Sequence, residues 1–208
     1  LRAGGSDVLT LPTDLLDENA PETIIAATAD RLGPPTILIN NAGSAPSARV
    51  EDTADEVLEE VLALHVKAPL RLIRGVLAGM RRERDGCIVQ VASTAGLRGF
   101  PFAVAYSAAK HASVGLTRAL AEELAGTGVR AYAVCPGFVD TDLTRRAAAA
   151  ISSRGKSYPE EAMQRLAAMN TIGRMHRPEE VADAVAWLCE ERPEGCVYDL
   201  DQATPIFV

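Results

Sequence analysis

The chain has 208 residues, and 21 Lys and Arg against 28 Asp and Glu leave it a formal net charge of −7. That length suits one domain with a substantial core, while the acidic balance argues against nucleic acid as the main partner, since binding there needs a basic face. No run of eighteen apolar residues and no signal-peptide pattern occurs, so a soluble protein off the membrane is expected.

In chain order, Leu1-Arg-Ala-Gly-Gly-Ser6 reads as a helix end followed by a turn, and Val8–Leu11 as a strand. Pro21–Leu32 reads as a helix with Pro21 in its first turn. The apolar run Thr36–Asn40 predicts a strand that ends in Asn40-Asn-Ala-Gly43, and Ala54–Arg82 predicts a long helix containing His65. Cys87–Ala92 is a further strand, stopping at Ser93. Ala103–Ala125 is a helix with Tyr106 and Lys110 four apart, hence on one face. Gly126 and Gly128 close that helix before the strand Val129–Val134. Pro136-Gly137 follows, and then Arg145–Asn170, with four consecutive alanines, interrupts the alternation. A helix over Pro178–Glu190 and a strand over Val197–Leu200 finish the chain. Apolar runs alternating with amphipathic segments imply an α/β fold, a parallel sheet covered by helices. Neither repeats nor a long linker divide it, so residues 1–208 form a single domain.

The chemistry concentrates at Ser93, Tyr106 and Lys110. A tyrosine ordinarily titrates at about 10, and a lysine cation one helical turn away is expected to lower that value toward usable proton transfer. A serine hydroxyl at the strand end can hold a carbonyl or alcohol oxygen beside the phenol, completing a general acid/base unit. Thr94 is the second choice, because it faces the other way on an extended chain. Cys87, Cys135, Cys189 and Cys196 show no CxxC or zinc-ligand spacing, and His65, His111 and His176 are far apart, so no metal site is expected. The cysteines read as reduced thiols of a cytoplasmic protein.

Tyr106-Ser-Ala-Ala-Lys110 with Ser93 thirteen residues ahead, Asn40-Asn-Ala-Gly43 upstream and Pro136-Gly137 with Thr141 downstream resembles the short-chain dehydrogenase/reductase family, over almost the whole chain. The resemblance implies a doubly wound, Rossmann-type sheet and an NAD- or NADP-dependent exchange between a ketone and a secondary alcohol. It implies catalytic roles for Ser93, Tyr106 and Lys110. It places Asp14 and Leu15 at the adenine ring and Asn41, Ala42 and Gly43 beside the cofactor. Tyr106 and Lys110 would reach the nicotinamide ribose, and Pro136, Gly137, Val139 and Thr141 the carboxamide. Residues 143–172 would form a substrate lid, and the long helices would pack in a homo-oligomer, dimer or tetramer. The segments Pro136–Asp142 and Gly173–Val181 look like those of 3-oxoacyl-thioester reductases and 3-hydroxyacyl dehydrogenases. Relative to the family, roughly the first 40–50 residues, with the first βα unit and its glycine-rich turn, are expected to be absent.

Several positions carry a second reading. Ser93 can end its strand by bonding backbone, Asn41 can shape a turn, and Asp14 can cap a helix. Arg145, Arg146, Arg154 and Lys156 either meet a phosphate of a thioester carrier or are solvated charges. His65 stands where the family has Asn, and a histidine titrating near neutral pH either serves a proton relay or packs in a helix interface. Asp201-Gln-Ala203 stands where the family ends a strand in DGG. Two alternatives remain beside the dehydrogenase: a non-catalytic structural or regulatory subunit, and a lyase or epimerase on the same scaffold.

Overall fold

The computed structural model describes residues 5–154 and 158–208. Its centre is a five-stranded sheet of β1 (Ile37–Asn40), β2 (Gly86–Val91), β3 (Val129–Cys135), β4 (Val197–Asp199) and β5 (Ile206–Phe207), in that spatial order. The first four strands are parallel and β5 returns antiparallel on β4. Parallel neighbours need crossovers, and helices supply them. Between β1 and β2 run α2 (Asp55–Leu62) and α3 (Ala68–Glu83), and between β2 and β3 runs α4 (Val104–Glu123). From β3 to β4 the chain passes through α5 (Asp142–Arg154), α6 (Pro159–Met169) and α7 (Pro178–Glu191), while α1 (Ala20–Leu32) precedes β1 and packs on α3.

Strand side chains alternate between two faces, and both faces of β2 and β3 are covered, while Ile37 and Ile39 leave one face of β1 exposed. Ile88, Val129 and Ala131 meet Ile73, Val76 and Met80 of α3 and Leu120 of α4. Cys87, Val89, Tyr132 and Val134 point the other way, onto Ala184, Val185 and Leu188 of α7. Two-sided burial is why these strands read as near-continuous apolar runs. Among the described residues no helix is long and apolar enough to cross a membrane.

The structure departs from the sequence reading in four places. Val8–Leu11 is not a strand. An apolar run becomes one only where its N–H and C=O groups find a neighbouring strand, and this run has none among the described residues. The helix expected over Ala54–Arg82 is interrupted by a π-helical turn, Ala63–Lys67. Strand β4 stops at Asp199, and the unforeseen β5 completes the sheet. The interrupting segment contains α5 and α6, whose small cluster of Ala148, Ala162 and Leu166 is separate from the sheet core. The reading of Leu1–Gly4, the Arg154 side chain and Lys156 lie outside the described residues.

Candidate active site

The carboxyl ends of β1, β2 and β3 lie side by side, with Asn40 opposite Gln90 and Val91 opposite Val134. Polar residues just past those ends therefore collect at one edge, where ligands bind in open α/β sheets. Ser93 begins there, extended, and its Oγ accepts a 3.1 Å hydrogen bond from the Ala95 N–H to start the turn Thr94–Gly96. That turn lies against α4. A side chain at Gly96 would meet the Lys110 carbonyl at 2.7 Å, so glycine is what lets turn and helix touch.

Helix α4 presents Tyr106 and Lys110 to the same edge. Lys110 is only 5 % exposed. Its Nζ donates to the Val91 carbonyl at the end of β2 (2.8 Å) and lies 5.7 Å from the centre of the Tyr106 ring. Ser93, Tyr106 and Lys110 line one cavity of about 1060 Å³, together with Asn41, Gly43, Pro136, Gly137, Val139 and Thr141. Asp14, Leu15 and Ala42 do not line it. Asp14 is exposed and its carboxylate accepts from the Leu16 N–H at 2.9 Å, closing a local turn. It does not cap α1, whose N-cap position is Asn19.

The electrostatics correct two expectations, the first at Tyr106. Tyr106 is not pulled below the ordinary phenol value. Burial raises its pKa, and a hydrogen bond with the Ser93 side chain works the other way. The Lys110 ammonium is engaged by the Val91 carbonyl instead, and burial lowers its own pKa to about 8. Desolvation dominates both groups because water is excluded from the seam between β2 and α4.

His65 lies in the π-helical turn and is buried. Such a turn widens a helix by one residue and commonly marks a functional position. Here it brings the imidazole edge-on to the Tyr106 ring, with centroids 5.7 Å apart. Nε2 donates to the Ser44 carbonyl at 2.8 Å. Burial first, then the nearby Lys110 cation, lower its pKa to about 4, with the Ser44 hydrogen bond opposing. The expectation that His65 titrates near neutral pH is thereby corrected.

The sequence reading missed the aromatic part of the cavity, Phe100, Phe102 and Phe138, while the lining residues Leu143, Leu166 and Met169 fall within the segment 143–172 expected as a substrate lid. Its available signal was Phe100-Pro-Phe102, large apolar residues in a loop, with Phe102 held at φ 62° in the left-handed region and half exposed. A bulky residue in that conformation is an outlier. The Ser44 hydroxyl, also in the lining, is buried without a hydrogen-bond partner among the described residues, as is Asn40 Nδ2 just before Asn41. Buried donors left open in this way suit a ligand's polar groups.

A family model described as short chain dehydrogenase matches residues 1–152. The chain is 38 % identical over 190 residues to the "Putative ketoacyl reductase" of Streptomyces coelicolor, covering 90 % of this chain and 73 % of that protein. The crystal structure of an actinorhodin polyketide ketoreductase variant with NADPH matches with a TM-score of 0.80 at 38 % identity, covering 85 % of this chain and 68 % of that one. Levodione reductase matches with a TM-score of 0.84 at 29 % identity, covering 91 % and 73 %.

Proposed function

The chain belongs to the short-chain dehydrogenase family and is an NAD(P)-dependent oxidoreductase; from that premise we propose that it interconverts a ketone and a secondary alcohol with Tyr106 as general acid and base. The observation that carries this reading is the convergence of Ser93, Tyr106 and Lys110 on one cavity at the carboxyl edge of the sheet. The nicotinamide end of a dinucleotide fits the residues present. The Ser44 hydroxyl, without a partner among the described residues, offers a polar contact, and Gly43 and Gly137 line the cavity beside it. Pro136, Gly137, Val139 and Thr141 would hold the carboxamide, Lys110 and Tyr106 the adjoining ribose, and Asn41 and Gly43 the facing side. Ala42 lies between those two, and the adenine end would fall to Asp14 and Leu15. When bound, the dinucleotide supplies or accepts the hydride.

The chain's own part is orientation and proton transfer. Ser93 Oγ donates a hydrogen bond to the substrate oxygen. In reduction the Tyr106 hydroxyl gives its proton to that oxygen, and in oxidation it takes the proton back. A phenol is protonated at neutral pH, and burial pushes its pKa further up, holding the form that reduction requires. The Lys110 cation, within reach of the phenol ring, favours the phenolate once the proton has left. His65, neutral, braces the Tyr106 ring and the loop carrying Ser44.

The phenylalanine-lined region supports a substrate with an apolar body, in keeping with a 3-oxoacyl or 3-hydroxyacyl thioester. Arg165 lines the main cavity and Arg146 an adjoining one of about 490 Å³. Among the described residues Arg146 and Arg165, the latter 3.9 Å from the Glu161 carboxylate, are cations placed to meet a carrier phosphate, whereas Arg145 is engaged by Asp140 and Asp142. A cytoplasmic homo-oligomer completes the reading. The test is to assay the full chain with NADPH and NADH on acetoacetyl-coenzyme A. Tyr106→Phe should lower kcat about 100-fold or more while dinucleotide binding persists; undiminished turnover in that variant would refute the assignment.

A further inference from the structure

Behind the loop that runs from Pro136 to Thr141 lies a buried polar cluster that the proposed reaction does not use. Asp201 is 1 % exposed and His176 3 %. The imidazole Nε2 donates to Asp201 Oδ1 at 3.0 Å. The other carboxylate oxygen accepts from the Thr171 N–H at 3.0 Å and the Thr171 hydroxyl at 3.3 Å, with the Arg98 guanidinium 3.7 Å away. The Asp201 N–H donates in turn to Asp199 at 3.0 Å. A buried carboxylate is costly unless so completely satisfied.

Every segment tied by this cluster leads to the cavity. The His176 N–H donates to the Phe138 carbonyl at 2.9 Å, and its own carbonyl accepts from the Asp140 N–H at 2.9 Å, bracketing Val139. Asn170 clasps Phe138 on both sides, accepting from its N–H at 2.7 Å and donating to its carbonyl at 2.9 Å. At Gly137 a side chain would press on Asn170 and on the Asp201 carboxylate, so the loop rests directly on the cluster. Arg98 also donates to the Met169 carbonyl at 3.2 Å and lies over the Phe100 ring at 5.1 Å. Phe100, Gly137, Phe138, Val139 and Met169 all line the cavity.

We propose that Asp201 and His176 are positioning residues that fix the loop from Pro136 to Thr141 from behind, setting the affinity for the dinucleotide without entering the proton transfer. The inference rests on the reading of that loop as the grip on the carboxamide. Asp201 reaches back from the end of the sheet to His176, 25 residues earlier in sequence.

The test compares the full chain with Asp201→Ala, Asp201→Asn and His176→Gln. Dissociation constants for NADPH come from calorimetric titration, and KM and kcat from turnover of acetoacetyl-coenzyme A. Asp201→Ala should raise both the dissociation constant and KM for NADPH about tenfold while kcat changes less than about threefold. His176→Gln, which keeps an N–H donor for the carboxylate, should hold the dissociation constant for NADPH within about threefold of wild type. A folded Asp201→Ala protein that binds NADPH within about twofold of wild type overturns the proposal, as does one that loses kcat alone. Should Asp201→Ala not fold, Asp201→Asn takes its place, and binding within about twofold of wild type by that variant overturns the proposal equally. A wild-type chain that binds neither NADPH nor NADH refutes the functional reading itself, a result distinct from equal binding by wild type and variant.

Discussion

Lys110 exposes a cost that the site accepts. Its ammonium is buried at the end of β2 with one carbonyl partner, and its pKa falls from 10.5 to about 8. Below pH 8 the folded and unfolded chains both carry the proton, and the penalty of burying it is fully present. Between pH 8 and 10.5 the unfolded chain holds a proton that the fold has released, so stability rises with pH across that window. The full penalty is on the order of 3 kcal/mol. Lys110→Met removes the titration, so the stability advantage of that variant over wild type should shrink by about 2 kcal/mol between pH 7 and 9.5, as read by urea unfolding; an advantage constant with pH would contradict the buried cation. His65 has a shift of the same direction, to about 4, which leaves it neutral through the physiological range. Tyr106 and Lys110 were legible on one helix face by their spacing, while joining Ser93 to them rested on the resemblance of the whole pattern to the short-chain dehydrogenase/reductase family. The direction of the Tyr106 shift was not, since it depends on burial and on where the lysine ammonium finds its acceptor. Asp201 and His176 were equally hidden, because nothing local relates two residues brought together by β4 and the segment before α7.

At the scale of elements, the distance between Ser93 and Tyr106 is set by how closely the turn Thr94–Gly96 lies on α4. Gly96 controls that approach. A methyl group there would meet the Lys110 carbonyl at 2.7 Å and the Val114 side chain at 2.9 Å, and the carbonyl belongs to a helix that cannot yield locally. Gly96→Ala should therefore separate turn and helix, costing about 1–3 kcal/mol of stability by overpacking. Its effect on kcat should be larger than that of a comparably destabilising core variant, about tenfold or more, because misplacement of the acid relative to Ser93 is felt directly. Thermal melts and steady-state kinetics on the same preparation would separate the two effects. The strands β2 and β3 were visible in the sequence because burial on both faces makes them nearly uniformly apolar, and β1 was legible from the same composition although Ile37 and Ile39 stay exposed on one face. Val8–Leu11 has the same look and no pairing partner among the described residues, so composition alone misassigned it. The π-helical turn left no periodic signature, being one added residue in a continuous helix, yet it aims His65 at Tyr106.

Over the whole molecule, the apolar contacts divide between the sheet layers and the helices that overhang the cavity. Leu188 is fully buried among Val89, Tyr132 and Val134, between α7 and the sheet. Leu166 belongs to the separate cluster of α5 and α6, where its neighbours are Ala148 and Ala162 with Phe138, Met163 and Met175 packed against them. Only the first cluster joins elements that must come together for the sheet to exist. Leu188→Ala should cost about 3 kcal/mol through lost transfer energy and a cavity that packed strands cannot fill, lowering Tm by roughly 6–12 °C for a chain of this size. Leu166→Ala deletes as many atoms, but its cluster can open without opening the sheet, and local opening draws on a smaller free energy than global unfolding. Its Tm should stay within about 3 °C of wild type. The change should emerge instead in KM for the ketone, because Leu166 lines the cavity. Calorimetry on both variants, with KM measured for each, decides the matter. Equal losses of Tm would mean that α5 and α6 are one cooperative unit with the sheet. A KM that rises only in Leu166→Ala, beside a Tm that falls only in Leu188→Ala, would place substrate recognition on helices whose packing is energetically separate from the fold that carries Ser93, Tyr106 and Lys110.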